Sequence, residues 1–238
     1  MGRPHIVLIP SPLNGPLVWA PVSRVLLAQG MAAHVVPLQD GRDTEVPFWI
    51  RHAASAARQL SEHGLDAGAL LVGHSGAGPL LPVIGAVSPH PIAGYLFVDA
   101  GLPIPGQSRL DELEETLPEV CAELRQLLTQ GERYPQWTDE EVRDVLPDEG
   151  LRRGILAELR PRGRAFFTEQ FPTIESWPDA PCGYLQFSDA YEEPAGQARA
   201  LGWPTRAFQA GHFHMVVDPY VVSAALLDLA TIVLAQTR

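Results

Sequence analysis

The sequence predicts an α/β protein, with a mainly parallel six-stranded sheet flanked by helices and a helical insertion between its fourth and fifth strands. Two observations carry this. Short apolar, β-branched runs alternate with segments of helical periodicity along most of the chain, the pattern of strands joined by crossover helices. One stretch, residues 103–178, breaks that alternation and holds 16 of the 28 acidic residues. The expected organisation is a core of residues 1–102 and 179–238, with residues 103–178 forming a helical cap or lid.

In chain order, His5-Ile6-Val7-Leu8-Ile9 forms the first strand, stopped by the Pro- and Gly-rich residues 10–16. Trp19, Val22, Leu26 and Leu27 then recur at helical spacing up to Gly30, a natural C-terminal stop. His34-Val35-Val36-Pro37-Leu38 is the second strand, and residues 47–63 form an Ala-rich helix closed by Gly64. Residues 69–72 and 92–98 are the third and fourth strands; residues 184–187 and 205–208 are the fifth and sixth. Residues 219–235 form the last helix, with Asp218 placed as its N-cap ahead of Pro219. The inserted stretch is expected to be helical throughout. Leu110, Leu113, Leu117, Val120, Leu124 and Leu127 make one apolar stripe, which Pro118 kinks or restarts. Thr138-Asp139-Glu140-Glu141 is a capping box that opens another helix through Val142, Val145 and Leu146.

Composition excludes several classes. A chain of 238 residues that is 46% hydrophobic can bury a substantial core, so it is neither disordered nor fibrous. A net charge of −11 without a basic cluster argues against nucleic acid or an anionic membrane as partner. No apolar run approaches a membrane span, and the four apolar residues before Pro10 are too short for a signal-peptide core. Cys121 and Cys182 lie far apart, which suggests reduced structural thiols. A cytoplasmic protein with a small-molecule partner is expected. Every one of the 17 basic residues is arginine, a compositional hint of a GC-rich bacterial source.

Gly73-His74-Ser75-Gly76-Ala77-Gly78 contains a G-x-S-x-G pattern that follows a hydrophobic strand and precedes an apolar helical run, the context in which this motif presents a nucleophile. A turn that tight admits only small residues beside the serine. It also points the Gly76 N–H toward a developing oxyanion at a helix start. Pro82 interrupts the helix that follows. A nucleophilic serine needs a base. His212, in Gly211-His212-Phe213-His214 between the last strand and the last helix, is the candidate, with His214 lining the pocket or packed. His74 is expected to pack beneath the turn. Gly73 to Gly78 is no phosphate loop, because the Lys-Ser/Thr ending is missing. No flavin, nucleotide or metal pattern appears, so no cofactor is expected.

With elbow, late histidine, strand order and insertion in place, the chain resembles the α/β-hydrolase family over essentially its whole length. Its start resembles the small plant-type esterases and hydroxynitrile lyases. Residues 5–16 fall without gaps on their strand-His-Gly-x-x-x-Gly segment, Trp19 falls on a tryptophan common there, and His212 to Met215 with Pro219 fall on their C-terminal histidine segment.

Two departures bear on function. Pro10-Ser11 replaces the family's His-Gly, and the next residue, which should donate the second oxyanion N–H, is Pro12, which has none. Leu13 N–H and the Ser11 hydroxyl are the possible substitutes. The acid is also open, between Asp99 at the end of the fourth strand and Asp189 or Glu192 after the fifth.

The resemblance implies a serine enzyme acting on an ester or thioester of a small hydrophobic substrate. Ser75 would be the nucleophile, His212 the base, and Gly76, Pro12, Leu13, Trp19 and His214 would line the oxyanion and substrate site, beside Leu17 and Leu102. The runner-up reading, which loss of the Pro12 donor suits, is a lyase, cyclase or isomerase in which Ser75 and His212 move protons; a ligand binder on the same frame is the third. Replacing Asp99 with Asn is expected to lower turnover and spare stability.

Overall fold

The structure is a computed structural model, describing residues 3–42, 45–65 and 67–236. Met1 and Gly2, where the N-terminal segment begins, lie outside the described residues. In chain order the elements are β1 (His5–Ile9), α1 (Ala20–Ala28), β2 (Ala33–Val35), α2 (Phe48–Ser61), β3 (Ala69–His74), α3 (Leu81–Val87) and β4 (Ile92–Val98). After β4 come α4 (Arg109–Thr116), α5 (Pro118–Thr129), α6 (Glu149–Ala157) and α7 (Arg164–Thr168). The chain then returns through β5 (Cys182–Gln186), α8 (Glu192–Ala200), β6 (Thr205–Ala207), α9 (His214–Val217) and α10 (Pro219–Ala235).

Six strands form one sheet in the order β2-β1-β3-β4-β5-β6, and every pairing is parallel. Both faces are covered, as parallel strands require, so the strands are continuously apolar and their side chains divide by alternation. Ile6, Leu8, Leu70, Val72, Leu96 and Val98 face the layer of α1 and α10. Val7, Ile9, Leu71, Tyr95, Phe97 and Tyr184 face α2, α3 and α8. The helices between β4 and β5 carry a smaller core of their own, built on Leu110, Cys121, Leu124, Leu128, Phe166 and Phe167. Both cysteines are buried free thiols. No helix among the described residues is long and apolar enough to cross a membrane.

Several local signals act as their chemistry dictates. Asp218 accepts from Val221 N–H at 3.0 Å and opens α10 ahead of Pro219. Pro118 occupies the first turn of α5, where its missing N–H costs nothing. Pro82 likewise sits in the first turn of α3, after a 3-10 turn over Ser75–Leu80, and so interrupts nothing.

Other expectations fail for physical reasons. The Thr138 capping-box bonds form, with Glu141 accepting from Thr138 N–H at 2.7 Å, yet residues 139–145 make only turns. Arg152 instead gathers the segment by donating to Asp139 and to the Leu146 carbonyl. The insertion is therefore helical in four pieces rather than throughout. Leu27, assigned to the apolar face of α1, is 54% exposed.

Candidate active site

Strand order reverses at β1, and in parallel sheets ligands bind beyond the carboxyl ends of strands at such a point. Five strand ends deliver the candidate chemistry there: residues 10–16 after β1, Ser75 after β3, Asp99 after β4, residues 187–191 after β5 and His212 after β6. A cavity of about 300 Å³ opens between this edge and the inserted helices, lined by Ser75, Gly76 and His212 on one side and by Leu113, Val120 and Leu124 on the other.

Ser75 has φ of 55°, the left-handed conformation of a sharp strand-to-helix turn. Close packing explains its glycines. A Cβ on Gly73 would come within 2.9 Å of the Leu81 side chain, and one on Gly78 would fall on the Gly101 carbonyl. The Ser75 hydroxyl lies 3.3 Å from the Tyr191 hydroxyl.

Asp99 is fully buried, also at positive φ (43°), which a short polar side chain tolerates. One carboxylate oxygen accepts from Phe187 N–H at 2.8 Å and Ser188 N–H at 2.9 Å; the other accepts from the Ser188 hydroxyl at 2.8 Å and from His212 Nδ1 at 2.7 Å. The Tyr184 hydroxyl holds the turn beside it, donating to the Ala100 carbonyl at 2.7 Å. Of the three carboxylates open to choice, Asp99 is the one in contact with His212. Asp189 is exposed, and Glu192 accepts from Gln186 and Arg199.

The His212 imidazole lies between two rings. Tyr191 stacks on it with centroids 5.2 Å apart and planes 8° from parallel; His74 approaches at 4.4 Å. His74 Nε2 donates to the His212 carbonyl at 3.0 Å, and burial holds the His74 ring neutral, with its pKa well below the usual value. Burial likewise raises the Tyr191 hydroxyl above the usual phenol range, so it stays protonated.

The loop after β1 is fixed from the insertion. Arg160 N–H donates to the Leu13 carbonyl at 2.9 Å, and Arg162 donates to the Pro12 carbonyl at 3.0 Å and to Asp40. Leu13 N–H is already taken, donating to Ser11 Oγ at 3.3 Å. That leaves the Ser11 proton free. Ser11 Oγ would lie 3.3 Å from a Cβ on Gly76, so hydroxyl and Gly76 amide share one end of the cavity.

Three residues expected at the substrate site lie elsewhere. Trp19 is fully buried at the start of α1, edge-on to His74, which stands between it and His212. His214 is wedged between Phe187 and Phe208 at 5.7 and 5.6 Å. Pro12 packs beside Gly76, but its carbonyl is turned to Arg162 and it does not line the cavity. Leu17 and Leu102 belong to the two cores. Leu13 and Gly76 do line the cavity.

Tyr191, Ser188, Arg109 and Glu112 line it too, and sequence patterns did not single them out as site residues. Only Tyr191 carried a signal, since it and Ala190 lie nearest the position after the fifth strand where the resembled family carries an aspartate. Among the described residues, no group of three or more His, Cys, Asp or Glu is placed to hold a metal ion.

No protein-family model and no curated protein matches the chain. Solved structures do. An extracellular α/β-hydrolase from a Paenibacillus species, described as sharing structural and functional homology with tobacco salicylic acid binding protein 2, matches with a TM-score of 0.75 at 17% identity, over 95% of this chain and 99% of that one. Polyneuridine aldehyde esterase matches at 0.71 and 19%, over 96% and 100% of the two chains. A variant of tomato methylketone synthase I with β-ketoheptanoate bound matches at 0.72 and 13%, over 97% and 99%. At these identities the likeness is one of fold, and the fold is that of the α/β-hydrolases.

Proposed function

We propose that the protein is a serine hydrolase acting on an ester or thioester of a small hydrophobic substrate. The observation that carries this reading is the 2.7 Å bond from His212 Nδ1 to the buried Asp99, on a histidine that shares one largely apolar cavity with Ser75. That bond fixes the imidazole tautomer, leaving Nε2 to act as base. Ser75 attacks the acyl carbonyl while His212 takes its proton. His212 then returns the proton to the departing alcohol or thiol, and water repeats the sequence to release the acid.

The tetrahedral oxyanion needs donors in place before it forms. Gly76 N–H, in the first turn after the nucleophile, has no acceptor within its own helix and is the first. Ser11 supplies the second through its free hydroxyl proton, in place of the N–H that Pro12 lacks. The helices between β4 and β5 act as a cap that excludes water from the acyl group. The hydrolytic activities named for the Paenibacillus protein and for polyneuridine aldehyde esterase support this choice on a shared fold.

A second reading, proton transfer in a lyase or isomerase without a tetrahedral oxyanion, draws on the same loop, where the backbone offers only one free donor. Labelling with a fluorophosphonate, read by intact mass, separates the two. One adduct on the wild type and none on Ser75→Ala, followed by turnover of an ester and thioester panel, supports hydrolysis. A folded protein that takes no label overturns it.

A further inference from the structure

Glu112 is a polar group in the cavity that the proposed chemistry does not use. It sits on α4, lines the cavity with Leu113 and Val120, and is only partly buried. Its carboxyl packs over the backbone of Gly101, where a Cβ would fall on it. Among the described residues no hydrogen bond reaches that carboxyl, and it forms no ion pair with Arg109, one turn earlier on the same helix. The Arg109 guanidinium is instead packed over the Phe166 ring at 3.9 Å and donates to the Phe166 carbonyl at 3.2 Å. The Glu112 oxygens stay open to the cavity and take no bond from the described residues, so a donor or acceptor on a bound ligand can reach them.

We infer that Glu112 is a substrate-recognition residue, and that the preferred ester carries a hydroxyl group that hydrogen-bonds to it. The substrate class rests on the hydrolase reading above; the contact itself does not. The choice of a hydroxyl follows from the charges around the carboxyl. Arg109 faces it from its own helix, with Glu115 one turn further on, and Tyr191 and Asp99 lie toward β4 and β5. An ammonium group here would sit beside the Arg109 cation. A carboxylate would meet the ionised form of Glu112 itself. Burial pushes the Glu112 carboxyl up to about 7, so both of its protonation states occur near neutrality. A hydroxyl donates to the ionised form and accepts from the neutral one, and it suits either.

The test is binding to the full chain in a Ser75→Ala background, where nothing is turned over. Calorimetry compares methyl phenylacetate with its 2-, 3- and 4-hydroxy isomers, which set the hydroxyl at different reaches from the ester. At least one isomer should bind roughly 10-fold more tightly than the parent, the worth of one good hydrogen bond. Glu112→Leu and Glu112→Met should erase that preference, and Glu112→Gln, which still donates and accepts, should keep part of it. No isomer tighter than the parent, or a preference that survives both apolar variants, overturns the inference. Turnover of the same four esters by the wild type is read separately. Selective binding without turnover would count against the hydrolase reading and leave the Glu112 contact standing.

Discussion

The phenol ring of Tyr191 lies flat against the imidazole of His212, and its hydroxyl lies 3.3 Å from Ser75 Oγ. One side chain thus touches both candidate reacting groups, by its face and by its edge. The two contacts are separable. Tyr191→Phe keeps the ring and should lower kcat less than about 10-fold, because one neutral hydrogen bond is worth roughly 1 kcal/mol. Tyr191→Ala leaves the imidazole free to tilt and should lower kcat by about 100-fold, the scale of a misplaced catalytic group. Steady-state kinetics on both variants check this, and equal losses would assign the effect to the hydroxyl alone.

Asp99→Asn should cost both activity and stability. The sequence alone suggests that stability is spared. Four donors converge on this buried carboxylate, and an amide can accept from only one side. Whichever way it turns, its NH₂ meets either two backbone N–H groups or Ser188 and His212. Losing bonds to a buried charge costs about 2–3 kcal/mol, and the wrong imidazole tautomer costs on the order of 10⁴ in kcat. Urea unfolding and single-turnover kinetics read the two effects independently. Asn still suits the positive φ, so backbone strain adds little.

Ser11→Ala should lower kcat by about 10² with KM nearly unchanged, the loss expected for one oxyanion donor. Ser11→Thr keeps a hydroxyl and should recover most of it. Unchanged kcat in Ser11→Ala would mean that Leu13 N–H, released from its bond to Ser11, takes the oxyanion instead.

The sheet and its flanking helices were legible because their signals are local. The apolar runs of β1 and β3, the Gly30 stop and the Asp218-Pro219 start each act over a few residues. The Ser75 turn is equally local, as small residues and a preceding strand suffice to mark it. The acid was not legible, because Asp99 and Asp189 both follow strands, and only the sheet order β4-β5-β6 brings Ser188 and His212 onto the first. Trp19 misled for a related reason: a position matched by resemblance fixes the element but not what stands between it and the cavity, here His74. Thr138 shows the opposite limit. Its capping bonds form as the pattern demands, while the distant Arg152 holds the residues that follow in turns.

Glu112 should make folding stability fall with pH in a window where most carboxylates raise it. Burial pushes its carboxyl up to about 7 in the folded chain, against a value of 4.5 without that burial, with Arg109 opposing the rise and Glu115 adding to it. Between those values the unfolded chain has released the proton and the folded chain still binds it. Stability therefore declines as pH rises from about 4.5 to 7 and levels off above, where both states are ionised. The full effect is about 3 kcal/mol, of which roughly 2 falls between pH 5 and pH 8. Asp40 works the other way: bonded by His52 and Arg162, it is held below the usual carboxylate range, and its contribution is lost only in acid. Glu112→Gln leaves Asp40 untouched, so the difference between variant and wild type isolates one carboxyl. Urea melts at pH 5 and pH 8 should show the variant gaining roughly 2 kcal/mol on the wild type at the higher pH relative to the lower. A difference that does not move with pH would mean that the carboxyl is solvated inside the cavity.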